Sequence, residues 1–168
     1  KEVKKVAGLK LVRIDDRLIH GQIITKWLHS SRSNTIVIVD DELVNDEFLS
    51  SVFLLAKPDG IDVEIKSAEQ AAKEWKETKL GSGNILMLFK TVEQVKKAVG
   101  FGLEIKELQV GGIAAKQGKK RVFSTISLSQ EEVSDLIDLS NRGIKIYFQM
   151  VPEAASTDLD SIVKQNFS

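Results

Sequence analysis

Cysteine is absent from the chain, which excludes disulfides, thiolate chemistry and cysteine-based zinc sites. Only two histidines occur, too few for a multi-histidine metal centre. Charge of one sign is also missing. Lys plus Arg and Asp plus Glu both number 24, giving a formal net charge of zero, without the basic footprint of a nucleic-acid binder. No apolar stretch reaches transmembrane length, and the opening "KEVKKVAG" lacks the apolar segment of a signal peptide. The expected location is therefore the cytoplasm. A Gly-rich phosphate loop is missing too. Gly81-Ser82-Gly83 precedes a strand pattern instead of following one, and no Walker-type Gly-Lys-Ser/Thr ending occurs. A nucleotide-driven kinase is disfavoured, so any phosphoryl group would have to come from another protein.

The 168 residues that remain to be explained suggest one domain. Residues 1–8 are read as a tail or linker and 9–168 as the domain. Short apolar, β-branched runs at 9–14, 35–40, 61–65, 84–89, 105–110 and 144–148 read as strands. Several are too apolar on both faces for a solvent-facing sheet. Helical patterns fall between them at 22–30, 45–57, 67–77, 91–102 and 129–143, and the tail suggests a last helix. In the second, Phe48, Val52 and Leu55 share a face. Ser67 with Gln70 and Thr91 with Gln94 have capping-box spacing, Ser129 is a candidate cap, and Gly143 is a stop signal. This alternation predicts an α/β fold with an open, mostly parallel sheet and helices on both faces. Residues 113–128 break the rhythm and read as a long loop with a short strand around 122–126.

The chemistry concentrates in "RIDDRLIHGQ", Arg13 to Gln22, where the first strand leaves the sheet at its carboxyl end and runs into the first helix. Ligands of open parallel sheets bind beyond that edge, near the point where strand order reverses. Neutral imidazole is a nucleophile at pH 7, with a reference pKa of about 6.5. Arg13 and Arg17 are suited to clamping phosphoryl oxygens. A helix starting near Gly21 aims free N–H groups at an anion. The aspartates are suited to fixing the tautomer of His20 or orienting the arginines. The competing reading is a structural ion-pair network with a histidine cap. A second function class is a non-enzymatic anion- or nucleotide-binding regulatory module built on the same sheet, with the arginines as the anion site.

The same stretch, followed by Trp27, resembles the active-site motif of the IIB components of the mannose/fructose/sorbose class of the bacterial sugar phosphotransferase system. The similarity extends through "VDDELVNDEF" (39–48), "AKPDG" (56–60), "LMLFKTVEQV" (86–95), "VGGIAAKQGK" (110–119) and "NRGIKIYFQMVP" (141–152). The resemblance implies that His20 accepts a phosphoryl group on Nδ1 from a phosphohistidine of a IIA partner. It then passes the group to a hexose-type sugar entering through membrane IIC and IID components. Arg17 matches the arginine that contacts the phosphohistidine, and Arg13, Asp15 and Gln22 match motif positions. No metal or nucleotide cofactor is implied. A protein of this kind is cytoplasmic and associates with the inner face of the membrane through IIC and IID.

Other residues invite plainer readings. His29 stands in a polar setting near a helix end, where the dipole favours a protonated histidine. Lys90-Thr91 and Gly111-Gly112 follow strand patterns and are expected at the same sheet edge as His20, Thr91 mainly as a helix cap. The two glycines suit either a sharp turn of positive φ or close approach of a partner's backbone. Asp40-Asp41 evokes a magnesium site but is more simply read as capping. Trp27 reads as core or groove wall. The basic run Lys116, Lys119, Lys120, Arg121 is a candidate contributor to a docking surface around His20.

Overall fold

The computed structural model describes residues 8–167. The tail expected at 1–8 therefore lies outside the described residues except for Gly8, which already belongs to the first strand. Seven strands form one sheet in the order β3-β2-β4-β1-β5-β8-β9. These are β1 (Gly8–Asp15), β2 (Thr35–Val39), β3 (Asp62–Lys66), β4 (Asn84–Phe89), β5 (Glu107–Gly112), β8 (Lys145–Phe148) and β9 (Thr157–Asp158). All pair in parallel except β9, which runs antiparallel to β8. Alternation along the central strands explains why these runs are apolar throughout. Ile36 and Ile38 of β2, with Leu86 and Leu88 of β4, pack on one face. Val37 and Val39, with Ile85, Met87 and Phe89, pack on the other.

The helices are α1 (Leu28–Ser31), α2 (Glu47–Leu55), α3 (Ala68–Thr78), α4 (Val92–Phe101), α5 (Gln130–Asn141) and α6 (Leu159–Asn166). Their starts follow the cap chemistry of the sequence. The Ser67 and Thr91 side chains accept the N–H of Gln70 and Gln94, and Ser129 with Glu132 forms a complete capping box. One expectation changes. The segment 113–128 contains an antiparallel hairpin, β6 (Lys120–Phe123) with β7 (Ile126–Leu128). Its turn holds Ser124 at φ 48°. The helical pattern of α2 is real, but its apolar face is not covered. Phe48 is 75% and Leu55 85% exposed, Val52 is also exposed, and no residue of the helix is buried. Spacing reports which residues share a face; it carries no information on whether anything packs there. No helix among the described residues is long and apolar enough to cross a membrane.

The connection after β1 runs towards β2 on one side, whereas that after β5 runs towards β8 on the other. The strand order reverses between β1 and β5, so their carboxyl ends, Asp15 and Gly112, flank the crevice where an open sheet binds its ligand.

Candidate functional site

Period two places Arg13 and Asp15 on one face of β1, opposite Val12 and Ile14, which belong to the core of the other face. Both charged residues are fully buried. The Asp15 carboxylate gathers the site. Its Oδ2 lies 2.8 Å from His20 Nε2 and accepts from Arg13 Nε at 3.4 Å and Nη2 at 3.3 Å. Its Oδ1 accepts from the Arg17 backbone N–H at 3.2 Å and from Arg17 Nε at 3.3 Å. Burial pushes this carboxyl up, but the His20 hydrogen bond and the Arg13 charge outweigh it and hold it below its ordinary value. Asp15 is thus a carboxylate, and a carboxylate only accepts. Nε2 of His20 is the nitrogen that donates to it, so the neutral ring in this contact has its lone pair on Nδ1.

The loop that carries the imidazole is tightly specified. The Leu18 N–H donates to the Asp15 carbonyl at 2.9 Å, and Leu18, buried, adopts φ 57°. A non-glycine residue in that region is strained and persists only where its surroundings hold it. The Asp16 N–H donates to the Gly112 carbonyl, and Asp16 Oδ2 accepts the Ala114 N–H at 2.7 Å, tying the loop to the end of β5. His20 then starts the helix, its carbonyl accepting the N–H groups of Ile23 and Ile24. Gly21 and Gln22 occupy the first turn, where backbone N–H groups lack intrahelical acceptors. The helix continues as a π-helical turn over Ile23–Trp27 before α1, a geometry frequent at functional sites.

The sequence pairs Arg13 with Arg17 as a clamp; the structure separates them. Arg17 is half exposed at 51%. Arg13 lies beneath the site with all five N–H donors engaged. Besides Asp15, they reach Gln109 Oε1 at 2.5 Å and the carbonyls of Gln149 and Met150 at 2.9 and 3.2 Å. Its guanidinium also stacks over Trp27, 5.1 Å from the ring centroid, and Trp27 Nε1 donates to the same Met150 carbonyl. Arg13 has neither exposure nor a spare donor for a phosphoryl group.

Gly111 and Gly112 are the second correction. They are the last residues of β5, not a turn, and neither has positive φ. The register between β1 and β5 slips between Ile14, opposite Val110, and Asp15, opposite Gly112, so Gly111 is the extra residue of a bulge. A Cβ on Gly111 would stand 1.8 Å from Arg13 Cζ, and one on Gly112 would stand 2.8 Å from Asp15 Oδ1. The glycines make room for the buried guanidinium and carboxylate.

Other candidates fall into place. Lys90 is exposed one residue beyond β4, which pairs Phe89 with Ile14 of β1. His29 is exposed in α1. Asp40 accepts the Leu43 N–H, and Asp41 accepts the Ala68 N–H and Lys97 Nζ. Among the described residues, no cluster of acidic, histidine or cysteine side chains is arranged to hold a metal ion. Lys119 pairs with Glu132 of α5, and Lys120 donates to the Asn166 carbonyl of α6, so these two lysines are tied to helices of the opposite sheet face. Gln22 Oε1 is buried with no hydrogen-bond partner among the described residues. Sequence reasoning missed Gln109, Gln149 and Met150, which hold Arg13 from distant parts of the chain.

Comparison with known proteins identifies the family and the fold. The model of the family described as "PTS system sorbose subfamily IIB component" matches residues 9–168. The sorbose-specific EIIB component of Klebsiella pneumoniae is 31% identical over 160 residues, covering 95% of this chain and 98% of the relative. The mannose-specific EIIAB component of Escherichia coli is 29% identical over 154 residues, covering 90% of this chain and 48% of the relative. The crystal structure of manxB from Thermoanaerobacter tengcongensis superposes with a TM-score of 0.89 at 34% identity. It covers 97% of this chain and 99% of that one.

Proposed function

The chain belongs to the sorbose subfamily of IIB components of the sugar phosphotransferase system, a family of phosphoryl carriers, and on that premise we propose that His20 is its phosphoryl acceptor. The observation that carries this reading is the Asp15–His20 contact, which leaves Nδ1 as the nucleophilic nitrogen. In acceptance, Nδ1 attacks phosphorus and the bond to the donor nitrogen of a IIA phosphohistidine breaks. Because Nε2 keeps its proton, the phosphorylated ring gains positive charge, and the adjoining carboxylate stabilises it. The ring is then primed to leave as neutral imidazole when a sugar hydroxyl attacks. Overall the protein acts as a protein-phosphohistidine–sugar phosphotransferase.

Around the imidazole, Arg17 supplies an exposed guanidinium tethered to Asp15, suited to the equatorial oxygens of the phosphoryl group in flight. Gly21 and Gln22 offer backbone N–H groups at a helix start, and Lys90 adds positive charge along the edge. Arg13 and Asp15 act from below, as the groups that orient the ring, and Gly111 and Gly112 leave space for them. The partners are a IIA donor, membrane IIC and IID components and a hexose-type sugar. They act at the cytoplasmic side of the membrane, to which the protein attaches through IIC and IID. Incubation with phosphoenolpyruvate, the general phosphotransferase proteins and a IIA tests the reading. Acid-labile phosphate should appear on the wild type and be lost in His20→Ala. An unphosphorylated wild type that binds anions would instead favour the regulatory-module reading.

A further inference from the structure

We propose that Gln109 and Tyr147 are positioning residues for His20, fixing Arg13 from across the sheet and, through Asp15, the tautomer of the imidazole. The proposal rests on the reading of His20 as the phosphoryl acceptor. Its basis is a row of side chains on three adjacent strands. Arg13 of β1 stands in register with Gln109 of β5, and Gln109 with Tyr147 of β8. Gln109 is fully buried. Its Oε1 accepts from Arg13 Nη1 at 2.5 Å, and its Nε2 donates to Tyr147 Oη at 3.3 Å. The chain Tyr147–Gln109–Arg13–Asp15–His20 is therefore continuous through hydrogen bonds.

The direction of the amide is the critical feature. An amide presents an acceptor at one end and two donors at the other. Turned over, it would aim N–H groups at the guanidinium, and a buried Arg13 donor would lose its acceptor. Arg13, which can only donate, sets that direction, and Tyr147 Oη accepts from Nε2 at the other end, so that the buried amide is anchored at both ends. The guanidinium in turn shares Asp15 Oδ2 with His20 Nε2. If Arg13 shifts to recover a lost bond, it draws on the same oxygen that fixes the proton on Nε2. Tyr147 lies at the far end of the row, and the bulk of its ring is not needed for this effect, only its hydroxyl.

Two variants test the proposal. Tyr147→Phe removes the hydroxyl and keeps the ring, at a half-buried position where folding should survive. Gln109→Met removes acceptor and donors at similar volume. The first readout is ¹⁵N NMR of the His20 ring, which needs no phosphoryl donor. Wild type should show protonated Nε2 and bare Nδ1, and both variants should show a measurable population of the opposite tautomer. The second is single-turnover phosphorylation by IIA, expected to fall roughly 10-fold, the lower end for removing an outer orienting partner, with unchanged half-saturation for IIA. If Gln109→Met does not fold, Tyr147→Phe alone decides. A folded Tyr147→Phe protein with the wild-type tautomer and rate would overturn the proposal. Failure of the acceptor assignment is separate and visible beforehand, as a wild type that carries no phosphate on His20.

Discussion

Nε2 of His20 and Oδ2 of Asp15 are 2.8 Å apart, with the carboxylate fully buried and the imidazole 13% exposed. One ring nitrogen is anchored in the protein, and on the proposed reading the other is the phosphoryl acceptor. Asp15→Asn keeps the shape but lets an amide N–H face the ring, which favours the wrong tautomer. Phosphoryl acceptance should fall by roughly 10²–10⁴, the upper bound being the cost of tautomer loss in a Ser-His-Asp triad. Rapid-quench phosphorylation measures it. A near-wild-type rate would mean that Asp15 serves Arg13 alone.

Gly111→Ala should be destabilising, because the added carbon would collide with Arg13 Cζ. The guanidinium is locked by five hydrogen bonds and a ring, so it cannot step aside cheaply. A loss of about 1–3 kcal/mol is expected, the usual range for overpacking, read from urea denaturation. Gly112→Ala presses on the Asp15 carboxylate instead. It should slow phosphorylation more than it lowers stability.

The strands and caps were legible because local rules govern them. Thr35–Val39 and Asn84–Phe89 are apolar on both faces, and that is sufficient for a central parallel strand. Ser67, Thr91 and Ser129 are read from a three-residue spacing. The shape of the site was less accessible. Arg13 meets Gln109 across 96 residues of chain and Met150 across 137, and nothing local announces either contact. Arg13 and Arg17 look equivalent in a ten-residue window, yet alternation along β1 buries one and the turn after Asp15 exposes the other. The bulge at Gly111 is a property of two strands in register, so a lone Gly-Gly was compatible with a turn.

Arg17→Lys separates charge from geometry. Lysine keeps a cation but loses the rigid fork, and its Nζ cannot reproduce the Nε contact with Asp15 Oδ1 in the same geometry. The protein should fold and accept phosphate from IIA, while transfer to sugar falls roughly 10²–10³, the scale for one preorganised donor. Phosphoprotein should accumulate and discharge slowly. Wild-type sugar-phosphate turnover would reduce Arg17 to a surface ion pair, and Arg13, buried and fully bonded, could not take its place.

Asp41 predicts a pH effect remote from the chemistry. Its carboxyl lies below the ordinary range, chiefly because it accepts the Ala68 N–H, with Lys97 and Gln94 adding to this against partial desolvation. A carboxyl depressed on folding contributes stability that is complete above its unfolded value of about 3.9 and fades as pH falls through the folded value. Wild type should therefore exceed Asp41→Asn in stability at pH 7. The gap should narrow as pH drops below about 4. Denaturation curves across that range show it, and a pH-independent gap would contradict the cause given.

The account as a whole turns on one atom. Protein phosphorylated through phosphoenolpyruvate and IIA, with ¹⁵N in its histidine rings, can be examined by ³¹P and ¹⁵N NMR. The account predicts a phosphorus–nitrogen coupling at Nδ1 of His20, with Nε2 still protonated, and an unmodified His29. Phosphate on Nε2 of His20, or on His29, would contradict it.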